Sequence, residues 1–332
     1  MRKLDNRRYQ VDNGEKMKAV LLERGELKIK EVLPPVPSGE EALIRVIKAG
    51  ICNTDLEIIR GYMEFEGILG HEFVGEVVES SRKDLRGKRV VGEINIFCNQ
   101  CEFCLKGLPR HCSSRKVLGI YRKDGVFAEF VTLPLINLHL LPQEVSDHQA
   151  VFVEPLASAL EILEQIEVRK KESILVIGDG KLGLLIAQVM KLESDEVYCL
   201  GKHERKLELI RKRNVKVFLK EEDIAQKFDL VVEATGKKEG LRVALSYVKP
   251  RGKIVLKSTF KGNLCLDVSK IVVDEIELIG SRCGPFPRAI EVLKSGRVDV
   301  EGMVDGEFPL DEALQAFRLA QKPGVMKILL SI

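Results

Sequence analysis

The stretch CNQCEFCLKGLPRHC carries four cysteines, Cys98, Cys101, Cys104 and Cys112, within fifteen residues. Four thiolates at this spacing can close a tetrahedral site around zinc with no position left open, which makes a structural site. Iron–sulfur ligation is the rival metal reading, and four unrelated buried thiols the plainest one. No basic recognition helix follows the quartet, which argues against a nucleic-acid finger. A second set of able side chains is spread over three stretches: Cys52, Thr54 and Asp55 in AGICNTD, His71 and Glu72 in GHEFVGEV, and Glu154 in FVEPLA. A thiolate, an imidazole and a carboxylate form a three-ligand zinc site with the fourth position open. Such a zinc acts as a Lewis acid on an alcohol or carbonyl oxygen. Taken singly, these residues have ordinary readings too: a packed thiol, a core histidine, a carboxylate starting a helix before Pro155.

A third feature is the turn GDGKLG, which follows the apolar run SILVI and opens a helical pattern. Strand, glycine turn and helix are the context in which this spacing binds a dinucleotide. Gly178 permits the tight turn, Gly180 lets a pyrophosphate approach the backbone, and Gly183 allows close helix–strand packing. Lys181 and Leu182 begin the helix whose N-terminus faces the phosphates. An Asp or Glu at the end of the next strand would bind the ribose 2′-hydroxyl. This chain has Gly201 there, followed by Lys202, His203, Arg205 and Lys206. A missing carboxylate beside cations suits the 2′-phosphate of NADP better than NAD. The bland alternative is a solvated basic start to a helix.

The elements that must position these groups fall into two kinds. From Met17 to about residue 150, short apolar runs divided by Gly, Pro and charged turns predict a compact β-rich domain. After it, six strand-like runs separated mostly by helical stretches predict a doubly wound parallel sheet, an α/β arrangement. A helix, a second amphipathic stretch and a last strand, VMKILLSI, close the chain. At 332 residues two domains are expected, and 45% hydrophobic with 31% charged residues suits a globular protein. The net charge of +3 is spread along the chain, so neither nucleic acid nor acidic lipid is an expected partner. No apolar run reaches membrane-spanning length, and the charged N-terminus lacks the core of a signal peptide. A cytoplasmic protein is therefore expected, and in that reducing setting clustered cysteines favour metal over disulfide.

Together AGICNTDLEI, GHEFVGEV, the cysteine lobe, VEPLASALE and GDGKLG, in this order, resemble the zinc-dependent medium-chain alcohol dehydrogenases, with VEPL leaning towards the polyol and threonine dehydrogenase branch. The resemblance runs from about Met17 to the C-terminus. It implies a GroES-like catalytic domain over residues 17–156 and 286–332, a Rossmann domain over 157–285, and a polar extension over 1–16. It implies two zinc ions per subunit, one structural in the quartet and one catalytic. Cys52 and His71 would bind the catalytic zinc. The third ligand is Glu72 in some relatives and a later acid, here Glu154, in others; Glu154 is the expected direct ligand, with Glu72 swinging in during turnover. Thr54 matches the hydroxyl that takes the substrate proton, and Asp55 would orient His71. Lys327 falls where relatives often place an arginine near Asp55 and the pyrophosphate. The implied reaction moves a hydride between NADP(H) and an alcohol, polyol or sugar, in a homodimer or homotetramer. Arg60, Arg122 and Arg282 are candidates for meeting a polar substrate. A nucleotide-binding protein without catalysis, or a quinone-reductase-like enzyme, are the competing readings on the same fold.

Overall fold

Most positions of EALIRVIKAGI are buried, and this run forms an eleven-residue strand, Glu41–Ile51, whose end leads into Cys52. It pairs antiparallel with Glu72–Ser80 on one side and with the closing strand Lys327–Ser331 on the other. Phe130–Pro134 pairs with its first half. Val304–Pro309 then adds parallel to the closing strand. Gly50 thereby faces Glu72 across one ladder and Leu329 across the other. Residues separated by most of the chain meet at the end of this strand. The computed structural model describes residues 15–259, 263, 264, 266 and 268–332. Residues 1–14 of the expected polar extension lie outside the described residues.

The chain divides into two compact units. One runs up to Glu154 and resumes over Val304–Ile332; the other is Pro155–Met303. Within the second unit six parallel strands lie in the order Lys216–Phe218, Val197–Leu200, Ile174–Ile177, Phe228–Glu233, Val248–Leu256, Glu277–Gly280. Numbered along the chain this is 3-2-1-4-5-6, the doubly wound order with its switch point beside the first strand. Its apolar core includes Leu175, Phe228, Val231 and Ile254 from the strands with Leu241 and Leu245 from the helix Lys238–Tyr247. The expected sheet of six strands and helices is the one observed. Among the described residues no helix is long and apolar enough to cross a membrane.

The closing strands of the first unit are secured by charge. Lys48, from the long strand, is largely buried and pairs with Glu307; Ser331 donates to the same carboxylate, and His148 Nε2 lies 2.8 Å from its other oxygen. Burial alone would raise the Glu307 carboxyl, but Lys48, Ser331 and His148 outweigh it and hold it at about 2. A depressed carboxyl contributes stability that is present above its unfolded value and lost as pH falls through the folded one. Acid denaturation should therefore show a loss between roughly pH 4.5 and 2 that the Glu307→Gln variant lacks. An identical acid limb in wild type and variant would remove this cluster from the account.

Candidate metal centres and nucleotide turn

The cysteine lobe is shaped by backbone before it is shaped by metal. Asn99 and Gly107 adopt left-handed conformations, with φ of 61° and 74°, and turn the chain back on either side of the short helix Glu102–Leu105. The four sulfurs are thereby gathered within 4.8 Å of one another. Cys101 Sγ lies 3.5 Å from Cys104 Sγ and 3.8 Å from Cys112 Sγ, which is 3.5 Å from Cys98 Sγ. A disulfide needs about 2.05 Å. A zinc–sulfur bond of about 2.3 Å puts the edge of a tetrahedron near 3.8 Å, so the thiols have metal spacing. Backbone N–H groups of Cys104 and Ser113 bring the Cys101 thiol down to about 5, while desolvation and its sulfur neighbours push Cys104 up to about 11.

The other group is built at the end of the long strand. Cys52 is the N-cap of the helix Asn53–Ile59. Asp55, fully buried, reaches back to accept the Cys52 N–H at 2.7 Å, so one carboxylate oxygen closes the helix start. Its other oxygen lies 3.3 Å from His71 Nδ1. With the carboxylate on the Nδ1 side, Nε2 is the nitrogen a metal would meet. His71 is 3% exposed; burial disfavours its charge, but the Asp55 carboxylate and Cys52 more than reverse this and raise it well above the ordinary value. Thr54 Oγ1 is 3.7 Å from Cys52 Sγ, in the first turn of the same helix.

Ligand atoms of Cys52, His71 and Glu72 all lie within 4.8 Å of one another. Glu154, expected as the direct ligand, stands outside this group, half-buried in the first turn of the helix Val153–Gln165. The carboxylate that meets Cys52 and His71 is that of Glu72. It is held by an interaction that the motifs did not reveal, a buried ion pair between its Oε2 and Lys327. Both partners are 1% exposed. Burial would lower the Lys327 ammonium, but Glu72 and then Cys52 raise it above its ordinary value. The ammonium also sits 5.6 Å from the centre of the Phe152 ring. Lys327 thus belongs to the metal group, which its place beside Asp55 and the pyrophosphate in the sequence reading only partly anticipated. Glu72 Oε1, on the same carboxylate, is buried without a hydrogen-bond partner. An orphaned buried oxygen is costly, and a divalent cation among these three donors would satisfy it. The donor set, one thiol, one imidazole and one carboxylate, fits zinc with a position left over.

Gly50 makes this meeting possible. A Cβ there would fall 2.6 Å from Val151 Cγ1 and 2.7 Å from Glu72 Oε2. Nothing in the sequence reading singled out Gly50 or Phe152; their signal is purely spatial.

At the nucleotide turn, Gly178 has φ of 117°, and a Cβ would lie 2.7 Å from the Ala234 carbonyl oxygen. A Cβ on Gly183 would lie 2.0 Å from the Gly178 carbonyl oxygen, while at Gly180 there is nothing within 4 Å. The turn is therefore sterically closed behind and open in front, where Gly180 caps the helix Lys181–Lys191 without a side chain over its first N–H groups. Those features fit a pyrophosphate. Lys181 and Leu182 are half-buried; Lys202 and His203 are exposed, and Lys206 is buried. Asp179, inside the turn, accepts hydrogen bonds from the backbone N–H groups of Lys202 and His203, each at 2.7 Å. The sequence reading passed over it, although an acid within a phosphate-binding turn is a signal in itself. Of the candidate substrate cations, Arg60 pairs with Glu57 at 2.7 Å and Arg122 stacks 4.8 Å over Tyr121.

Comparison with known proteins agrees with this geometry. Residues 38–143 match the model of the alcohol dehydrogenase GroES-like domain, and residues 147–331 that of the glucose dehydrogenase C-terminus. D-arabinitol dehydrogenase 1 of Uromyces fabae is 30% identical over 306 residues, covering 85% of this chain and 87% of that protein. A Sinorhizobium meliloti 1021 structure described as a zinc-binding dehydrogenase, bound to NADP, superposes with a TM-score of 0.88 at 26% identity, over 96% of this chain and 99% of that one. An alcohol dehydrogenase from Escherichia coli CFT073 complexed with NADH gives the same score and identity, over 96% and 100%.

Two substitutions separate the two metal groups. Cys104→Ser should lower the melting temperature by several degrees and remove one zinc per subunit from the purified protein, because a structural metal is folding energy. Gly50→Ala should cost about 1–3 kcal/mol and weaken zinc retention at the Cys52 group while the quartet keeps its metal. Thermal denaturation with zinc analysis reads both, and a Gly50→Ala protein with unchanged stability and zinc would refute the steric argument.

Proposed function

This chain belongs to the zinc-dependent medium-chain alcohol dehydrogenase family, and from that membership we propose that it interconverts a polyol or sugar alcohol and the corresponding carbonyl compound. It is a zinc-type alcohol dehydrogenase that uses a nicotinamide nucleotide. The observation that carries the proposal is the buried convergence of Cys52, His71 and Glu72 with an unsatisfied carboxylate oxygen. A nucleotide-binding protein without catalysis has no use for such a group.

In this reading Cys52, His71 and Glu72 would hold the catalytic zinc, and the cysteine quartet a second, structural one. A bound zinc supplies Lewis acidity to the substrate oxygen, and the bound nucleotide accepts or gives the hydride. The chain's own residues do the rest. Asp55, with one carboxylate oxygen 3.3 Å from His71 Nδ1, would orient the imidazole. Lys327 anchors Glu72 by Oε2, holding the carboxylate beside Cys52 and His71. Its positive charge also tempers a site that already holds two carboxylates and a thiol. Thr54, next to Cys52, would receive the proton of the substrate hydroxyl. Glu154, expected as the direct ligand, is not among the three side chains whose donor atoms meet. The glycine turn Gly178–Gly183 would hold the pyrophosphate on the helix N-terminus.

Support for a polyol or sugar substrate is the D-arabinitol dehydrogenase relative. On the nucleotide, the cations after Gly201 favour NADP, whereas Asp179 bound within the same turn opposes a 2′-phosphate. A homo-oligomer of two or four subunits is part of the proposal by family membership alone.

The test is zinc content and turnover with a panel of polyols, for wild type and Cys52→Ala. Two zincs per subunit should fall to one, and turnover should drop by several orders of magnitude while nucleotide binding persists. Wild-type protein saturated with added zinc that retains one zinc, or a Cys52→Ala variant that turns over normally, would refute the catalytic centre.

A further inference from the structure

The end of the strand Val197–Leu200 is an anion-binding nest, and it is filled from within. Lys202 N–H and His203 N–H both donate to Asp179 Oδ2 at 2.7 Å, and His203 Nδ1 lies 2.9 Å from the same oxygen. Asp179 is only 9% exposed. Two backbone N–H donors and an imidazole nitrogen converging on one oxygen make a receptor for negative charge. His203 is also the N-cap of the helix Glu204–Arg211, whose positive end adds to the effect.

Gly201 completes the arrangement. A Cβ at this position would stand 2.5 Å from Asp179 Cβ. A side chain at 201 and the carboxylate of Asp179 therefore exclude one another. The place where an acid on the second strand would ordinarily meet the ribose is left empty so that an acid from the glycine turn can reach it. Asp179 thus reverses the meaning of the missing acid. Burial works against its charge, yet the two N–H groups and the imidazole outweigh it and keep the carboxyl below its ordinary value.

We infer that Asp179 is the cofactor-specificity residue of this enzyme: its carboxylate occupies the donors that a 2′-phosphate would need, and so selects NAD(H) over NADP(H). The inference rests on the reading of the glycine turn as a dinucleotide site. A 2′-phosphate carries close to two negative charges. It would meet a fixed carboxylate in place of a nest, and the N–H groups of Lys202 and His203 are already spent. Of the cations after Gly201, His203 is engaged by Asp179 and Lys206 is buried, while Lys202 and Arg205 are exposed. A 2′-hydroxyl has the opposite need. It donates, and Asp179 Oδ1, which takes none of the three bonds described, is the oxygen placed to accept.

The experiment is a fluorescence titration of purified protein with NADH and with NADPH, for wild type, Asp179→Ala and Asp179→Asn. Wild type should bind NADH at least about tenfold more tightly than NADPH, the minimum expected for one unfavourable charge contact at close range. Asp179→Ala should narrow or invert that ratio by about tenfold or more, mainly by tighter NADPH binding. Asp179→Asn, which keeps the shape and loses the charge, should move the same way. A merely structural role would weaken both nucleotides alike and leave the ratio alone. Wild type that binds NADPH as tightly as NADH overturns the inference, as does an unchanged ratio in the folded variants. If neither variant folds, the wild-type ratio decides. Failure of wild type to bind either nucleotide overturns instead the reading of the glycine turn, and the inference with it.

Discussion

A buried ion pair between Lys327 and Glu72 sets the terms for the first unit. Two charges removed from water cost several kcal/mol each unless geometry and further contacts repay them. Here the repayment needs three separate parts of the chain: Gly50 must lack a side chain, Phe152 must offer its ring face, and the closing strand must be docked in register. The pair is 255 residues apart in sequence. The site therefore cannot form before the C-terminus has returned to the sheet. The same pair spends Oε2 of Glu72 and leaves Oε1 without a hydrogen-bond partner, in a carboxylate that lies beside Cys52 and His71.

The two metal groups solve opposite problems. In the quartet, local backbone does the work. Four donors come from one short lobe, turned by Asn99 and Gly107, and the set has no carboxylate or open position. Near Cys52 the donors come from the start of one strand and a helix start, and each has a second residue behind it. Asp55 stands behind both Cys52 and His71, and Lys327 behind Glu72. Supports of this kind keep the donors in place with one position to spare, which is what a catalytic metal requires and a structural one does not.

Charge is handled in the second unit by the same economy. Asp179 is a buried acid that serves as ligand to its own backbone. Where Lys327 completes a group that lacks a cation, Asp179 completes one that lacks an anion. In both places a side chain from a distant or unregarded position supplies the charge that the local motif leaves unbalanced.

The alternation of strands and helices in the second unit, the cysteine quartet and the glycine turn were legible in the residues. Each depends on local spacing or on hydrophobic period, and those are properties of contiguous sequence. What the residues could not reveal was which groups of like type would meet. Glu72 and Glu154 are equivalent as letters; the fold sets Glu72, paired with Lys327, beside Cys52. The missing acid at Gly201 pointed to a 2′-phosphate, and the side chain that fills the space, Asp179, lies 22 residues earlier. Sequence determined the parts and their chemistry, because ligand type and turn geometry are local. Tertiary structure decided the partners, because a buried charge is settled by whichever opposite charge or donor the fold brings within reach, and that distance is set by strands far apart in the chain.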